Sequence, residues 1–224
     1  MAKSVGDGRE RPVTEELEPS AADELPLSGE PLPLDLVNTT YIRGGVRGRL
    51  VDAFAAGPQA VDVWLAARRG RFSPVLADRL SEAGPIDPAR YREFLELRGA
   101  LRSLAAARTS GEDPETGPLA VVNARARSAA HWPELVAGSG FRSVVRTAAD
   151  DVGGAALGEI AAAAVDLFTG PAADRLRACP APGCILYFVR THARREWCTV
   201  GCGNRVRVAR HSRRARAGGA AGEA

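Results

Sequence analysis

Lysine is almost absent from this 224-residue chain: of its 30 Lys and Arg residues, only Lys3 is a lysine. With the accompanying excess of Ala and Gly, the skew is a mark of codon composition and carries no functional reading. Long apolar runs are also missing. A bilayer-spanning helix needs roughly 18 apolar residues, and the best stretch, 160–168, is interrupted by Asp166. No membrane association is therefore expected. The opening Met1-Ala2-Lys3-Ser4, followed by acids, lacks the positive-then-apolar order of a secretory signal, which points to a cytoplasmic address. Cysteine is scarce, with 4 residues that all fall between 179 and 202. In a reducing compartment such residues are metal ligands sooner than disulfide partners. Gly-x-x-x-x-Gly-Lys, His-Glu-x-x-His and Gly-x-Ser-x-Gly do not occur, so none of these common catalytic signatures marks an enzyme.

What is present suits a folded chain. An apolar fraction of 45% and a charged fraction of 25% match ordinary globular proteins and make a buried core possible. Length allows one domain and a small satellite. Net charge is only +3, but it is unevenly placed. Residues 1–35 carry nine acids against three bases (−6), residues 36–174 balance at sixteen each, and residues 175–224 carry eleven Arg against Glu196 and Glu223 (+9). The basic excess belongs to the C-terminal end.

Residues 1–30 combine acids with Pro, Ser and Gly and have little apolar periodicity, so a disordered acidic arm is expected there. Order is expected from Leu32 to Val37. The Gly-rich stretch 43–48, flanked by short apolar runs, then suggests a small hairpin or a helix-to-strand turn. Pro58 opens a helix with Ala60, Val61, Trp64 and Leu65 on one face, ended by Gly70. The strongest helical period runs from Asp87 to Ala107 through Tyr91, Phe94, Leu97, Leu101 and Leu104. A third helix is expected over 119–130. A hairpin is expected around Gly138-Ser139-Gly140, and a further helix over 152–168, capped by Asp150 or Asp151.

The cysteines read Cys179-x4-Cys184-x13-Cys198-x3-Cys202, two close pairs separated by a loop, as a tetrahedral four-thiolate zinc site requires. One structural zinc per chain is expected. Pro180, Pro182 and Gly183 inside the first pair, and Gly201 and Gly203 around the last ligand, let the chain turn sharply. Between the pairs, residues 185–189 form a β-rich run. Four buried free thiols, a redox switch, or His192 or His211 in place of one cysteine are the alternatives.

The run Trp197-Cys198-Thr199-Val200-Gly201-Cys202-Gly203-Asn204-Arg205, preceded by the first cysteine pair and Leu186-Tyr187-Phe188, resembles the CGNR zinc-finger family. Upstream, Leu34-Asp35-Leu36-Val37-Asn38-Thr39, followed by Asp52 and Trp64-Leu65, is similar to the opening of the ABATE domain that members of this family carry. Members often have an Asp after the aromatic pair and Ser-Met after the third cysteine, where this chain has Val189-Arg190 and Thr199-Val200. The resemblance spans about residues 32–216. It implies a stress-related transcription regulator whose finger contacts DNA and whose N-terminal domain has an unsettled role.

Beyond Cys202 a helix is expected, with Cys202, Val206 and Ala209 on its buried stripe and Arg207, Arg210 and Arg214 on another face. Asn204, Arg205, Arg207, Arg210, Arg213 and Arg214 are the candidate DNA contacts, through phosphates and guanine edges of double-stranded DNA. For Asn204 and Arg205, a turn and a carbonyl or carboxylate bond are the competing roles. The expected fold is mainly α, of α+β type: a helical domain over 31–170 with one or two small hairpins, then a four-cysteine zinc-ribbon or treble-clef-like module over 175–216 ending in a basic helix. A disordered tail is expected over 217–224. A closed four-cysteine metal leaves no position for substrate, so no enzyme is expected. The competing function is a protein-interaction or small-ligand module with a purely structural knuckle, using Asn38, Arg43, Arg98 or Trp64. A homodimer and a small-molecule effector stay open.

Overall fold

Proline at the first turn, with a side-chain oxygen just before it, sets where two of the helices begin. The computed structural model describes residues 25–27, 29–149 and 151–220, of which 213–220 by their backbone course alone. Among these residues α1 (Leu32–Val37) leads into the hairpin β1 (Thr40–Arg43) and β2 (Arg49–Asp52). Then come α2 (Pro58–Arg68), α3 (Pro74–Glu82), α4 (Pro88–Ser110) and α5 (Thr116–Ala126). A second hairpin, β3 (His131–Gly138) and β4 (Gly140–Thr147), precedes α6 (Val152–Thr169). The chain ends with the hairpin β5 (Leu176–Ala178) and β6 (Tyr187–Val189) and the helix α7 (Val200–Ala220). The mainly helical reading with small two-stranded hairpins holds.

Helix α4 is the central rod. Asp87 accepts from the backbone N–H of Ala89 and Arg90 at 2.7 and 2.9 Å, Pro88 follows, and Gly111 closes the helix with φ 81°. Its buried Phe94, Leu97, Leu101 and Leu104 meet Leu36, Val37, Phe54, Trp64, Leu157 and Ile160 in one core. Asp151, one of the two candidate caps, opens α6 by accepting from Gly154 N–H at 2.7 Å. Alanine and glycine let α6 lie close to its neighbours: a Cβ on Gly158 would stand 2.5 Å from the backbone N of Ala129. By length and composition α6 matches a membrane-spanning helix, unlike the expectation from apolar runs, but over half of it is buried inside the fold as a core helix is.

Several expectations are revised. Helix α3, which was not anticipated, is capped by Ser73 and buries only Leu76. Helix α5 starts at Thr116 and gives way to a 3-10 turn over Arg127–Ala129. Residues 1–24 and 28 of the expected arm, and 221–224 of the expected tail, lie outside the described residues. The end of the arm belongs to the fold: Leu27 is buried beside Cys179, Ala181 and Phe188, and Glu30 is 3% exposed. Helix α7 continues to Ala220, past the residue where a disordered tail was expected to begin.

Candidate metal centre and basic helix

Each cysteine arrives on a local feature that the sequence dictates. Cys179 follows β5, and its N–H donates to Leu186 O across the hairpin at 2.9 Å. Cys184 closes a turn in which Gly183 has φ +69°, a left-handed backbone that favours glycine. Cys198 ends the loop after β6. Cys202 lies in the first turn of α7, where its N–H donates to Thr199 Oγ1 at 3.2 Å.

The four Sγ atoms lie within 4.8 Å of one another, with Cys198 to Cys202 at 3.3 Å, Cys184 to Cys198 at 3.7 Å and Cys184 to Cys202 at 3.8 Å. Four thiolates around zinc with Zn–S bonds near 2.3 Å would place sulfurs about 3.8 Å apart, so the donor set fits a closed four-sulfur ion. Neither His192 nor His211 belongs to the cluster, and both are exposed. The sulfurs stand close enough to perturb one another. Hydrogen bonds from Cys184 and Cys198 pull the Cys179 thiol down to about 2. Its bond to Cys179 pushes Cys184 up to about 12, and bonds to Cys179 and Cys184 push Cys198 above the ordinary thiol range. A bound cation favours the thiolate form of the cysteines that hold it.

The Cys202-Gly203-Asn204-Arg205 segment has a distinct job at each position. A Cβ on Gly203 would stand 2.8 Å from Cδ1 of Trp197, so glycine leaves room for the indole. Asn204 is exposed and accepts from Arg207 through Oδ1. Arg205 turns inward: its Nη2 donates to Cys202 Sγ at 3.0 Å, and its Cδ would lie 2.9 Å from a Cβ on Gly45. Its guanidinium supports a sulfur ligand, as outer hydrogen bonds do at metal sites, and this takes it away from the face expected to meet DNA. On α7, Cys202 and Val206 are buried, Ala209 is half-buried, and Arg207 and Arg210 are exposed. Arg213 and Arg214 follow on the same helix, beyond the side chains described.

Residues distant in sequence fasten this module to the helical body. Asn38, fully buried, donates through Nδ2 to Tyr187 O at 2.8 Å and accepts from Tyr187 N–H at 3.0 Å, so its amide pairs with β6 as a strand residue would. Arg102 donates to Val37 O at 2.6 Å, Thr40 O at 3.0 Å and Ile185 O at 3.0 Å, and its guanidinium lies over the Tyr187 ring. Glu30 accepts from Val189 N–H at 2.8 Å and from Arg195 Nη2 at 2.5 Å. Arg195 also donates to Val189 O and Cys198 O and stacks on Phe188. Sequence reasoning missed Glu30, Arg102 and Arg195, because their partners are mostly backbone groups that only the fold brings near.

The residues named for a ligand-binding alternative are committed elsewhere. Arg98 makes a two-pronged bond to Asp52 at 2.6 and 2.7 Å and donates to Thr39 Oγ1. Arg43 donates to the Tyr41 hydroxyl. Trp64 is fully buried, edge-on to Phe54. Asp35 is buried between Arg68 and Arg71, and burial raises its carboxyl above the ordinary range against the pull of both arginines.

A helical body joined to a hairpin-loop-helix unit that gathers four cysteines has the build of a zinc-finger protein. The chain belongs to the ABATE family, described as "Putative stress-induced transcription regulator", which matches residues 30–171, and the CGNR zinc finger matches residues 175–215. No curated protein matches the chain.

Proposed function

We propose that this chain is a zinc-dependent DNA-binding transcription regulator. One structural zinc is held by Cys179, Cys184, Cys198 and Cys202, and α7 offers Arg207, Arg210, Arg213 and Arg214 to duplex DNA. One observation carries this reading: the last sulfur of the cluster stands in the first turn of the helix that bears the arginines. Filling the site therefore fixes the direction of a basic helix. With Asn204 exposed at its start and Arg207 and Arg210 exposed beyond, the helix has the charge to follow phosphates and the shape to enter a major groove. Four sulfurs leave no open coordination position, which supports a role without catalysis. Residues 31–170 act as the body on which the finger at 175–216 is mounted, in the cytoplasm.

The test uses the full chain loaded with zinc and a fluorescently labelled duplex of mixed sequence. Binding is expected to be lost when a chelator removes the metal, and to return when zinc is restored. The Cys198→Ser variant should hold no zinc and behave as the chelated protein does. Equal affinity before and after chelation would contradict the proposal. Failure of the zinc-loaded chain to bind any duplex would favour the interaction-module reading.

A further inference from the structure

The β3–β4 hairpin leaves the body with one face bare. In its register Pro133 stands opposite Val145, Leu135 opposite Ser143 and Ala137 opposite Phe141, so these six side chains share one face. That face is mostly apolar and mostly in solvent: Phe141 is 87% exposed and Leu135 70%. Two strands alone are marginally stable in water, and the body holds this pair mainly at its base, where Arg79 Nη1 donates to Thr147 Oγ1 at 3.2 Å.

The two free edges differ. Ala148 N–H donates to Ala130 O at 2.8 Å, one pair beyond the strands, which marks 130 with 148 as a hydrogen-bonded pair. Alternation makes 132 with 146, 134 with 144 and 136 with 142 bonded, and leaves Pro133 with Val145 a non-bonded pair. The backbone N of Pro133 thus faces outward, where it cannot donate, and β3 is closed to pairing at its middle. On β4 the outward groups belong to Phe141, Ser143, Val145 and Thr147, none of which is proline.

We infer that this chain forms a two-fold homodimer through the β4 edge, antiparallel about Ser143. In this register Ser143 faces its own copy, Phe141 faces the partner copy's position 145 and Arg142 its position 144, so no like charges oppose each other. A shift by one residue about Val144 sets Arg142 against the second copy's position 146, arginine on arginine, which is unfavourable. The chosen register also places each Phe141 next to the base of the other hairpin. There, Val145 borders an apolar depression of about 230 Å³ lined by Pro74, Val75, Leu76 and Ala155. Each copy supplies both the ring and the depression, as an isologous contact requires. The dimer does not depend on DNA contact by α7.

Sedimentation velocity of the zinc-loaded full chain in the tens of micromolar should show a dimer that dissociates on dilution. Ser143→Pro removes one outward N–H and none of the hairpin's own ladder bonds, and Phe141→Glu removes the ring. Each should give a monomer at the same concentration with unchanged helical circular dichroism. As a check that needs no loss of structure, mild oxidation of Ser143→Cys should link two chains across the axis, whereas Ser139→Cys at the hairpin tip should not. A monomeric wild-type chain, or a dimer that Ser143→Pro leaves intact and Ser143→Cys does not cross-link, would overturn the inference.

Discussion

Asn38 and Asp52 show how single side chains fix joints of the fold, Asn38 between the zinc module and the body and Asp52 within the body. Asn38 satisfies both backbone groups of Tyr187, and Ala at this position leaves them without these partners at a part-buried joint. A cost of about 1–3 kcal/mol is expected, the range for polar groups stripped of their partner, and urea denaturation of Asn38→Ala would measure it. Asp52 is half-buried. Burial works against its charge, but the bonds from Arg98 and the Phe54 N–H prevail and hold its carboxyl below the ordinary range. A carboxyl lowered in the folded chain gives stability that is present above its unfolded value, near 3.9, and is lost as pH falls through the lower folded value. Wild type should therefore exceed Asp52→Asn in stability at pH 6. The gap should narrow below about pH 4, as denaturation at the two pH values would read. These roles were hidden in the sequence, where Asn38 and Arg98 carry no sign of which distant group they will meet. The cysteines, by contrast, were legible because ligands spaced by 4, 13 and 3 residues are a local pattern.

At the scale of elements, helix α4 and the β3–β4 hairpin were readable for the same reason. Both carry their own start, period and stop: Asp87-Pro88 and Gly111 for the helix, alternation around Gly138-Ser139-Gly140 for the hairpin. Helix α3 escaped because it is only nine residues long and buries a single side chain, although Ser73 and Pro74 mark its start. The acidic arm was misjudged at its end because Glu30 looks like one more acid in an acidic run until β6 and Arg195 surround it. The knuckle approaches the first hairpin closely at Gly45. A Cβ on Gly183 would lie 2.6 Å from the backbone C and O of Gly45. Gly183→Ala must adopt a left-handed backbone, at about 1–2 kcal/mol, and also push the turn off Gly45. The expected result is faster transfer of zinc to a coloured chelator with little change in the melting of the α4 and α6 core. Zinc transfer at the wild-type rate would show that this contact does not hold the knuckle.

Over the whole molecule, the charge asymmetry and the metal centre converge on one helix. The body is electrically balanced over residues 36–174, whereas residues 175–224 carry the surplus of arginine. Helix α7 gathers Arg207, Arg210, Arg213 and Arg214 on an element seated against the body through Arg205, Gly45 and Val206. Because α7 is held at the metal end, Arg207 and Arg210 stand exposed on a helix whose start the cysteine cluster fixes. The most direct measurement is the affinity of the zinc-loaded chain for duplex DNA as salt is varied. Log K should fall linearly with log salt, by about 0.9 for each phosphate contacted, and changing Arg207, Arg210 and Arg214 together to Ala should flatten the slope by up to about 2.7 with zinc content unchanged. A variant that keeps its zinc and shows the wild-type affinity and slope would contradict the assignment of α7 as the DNA-contacting helix.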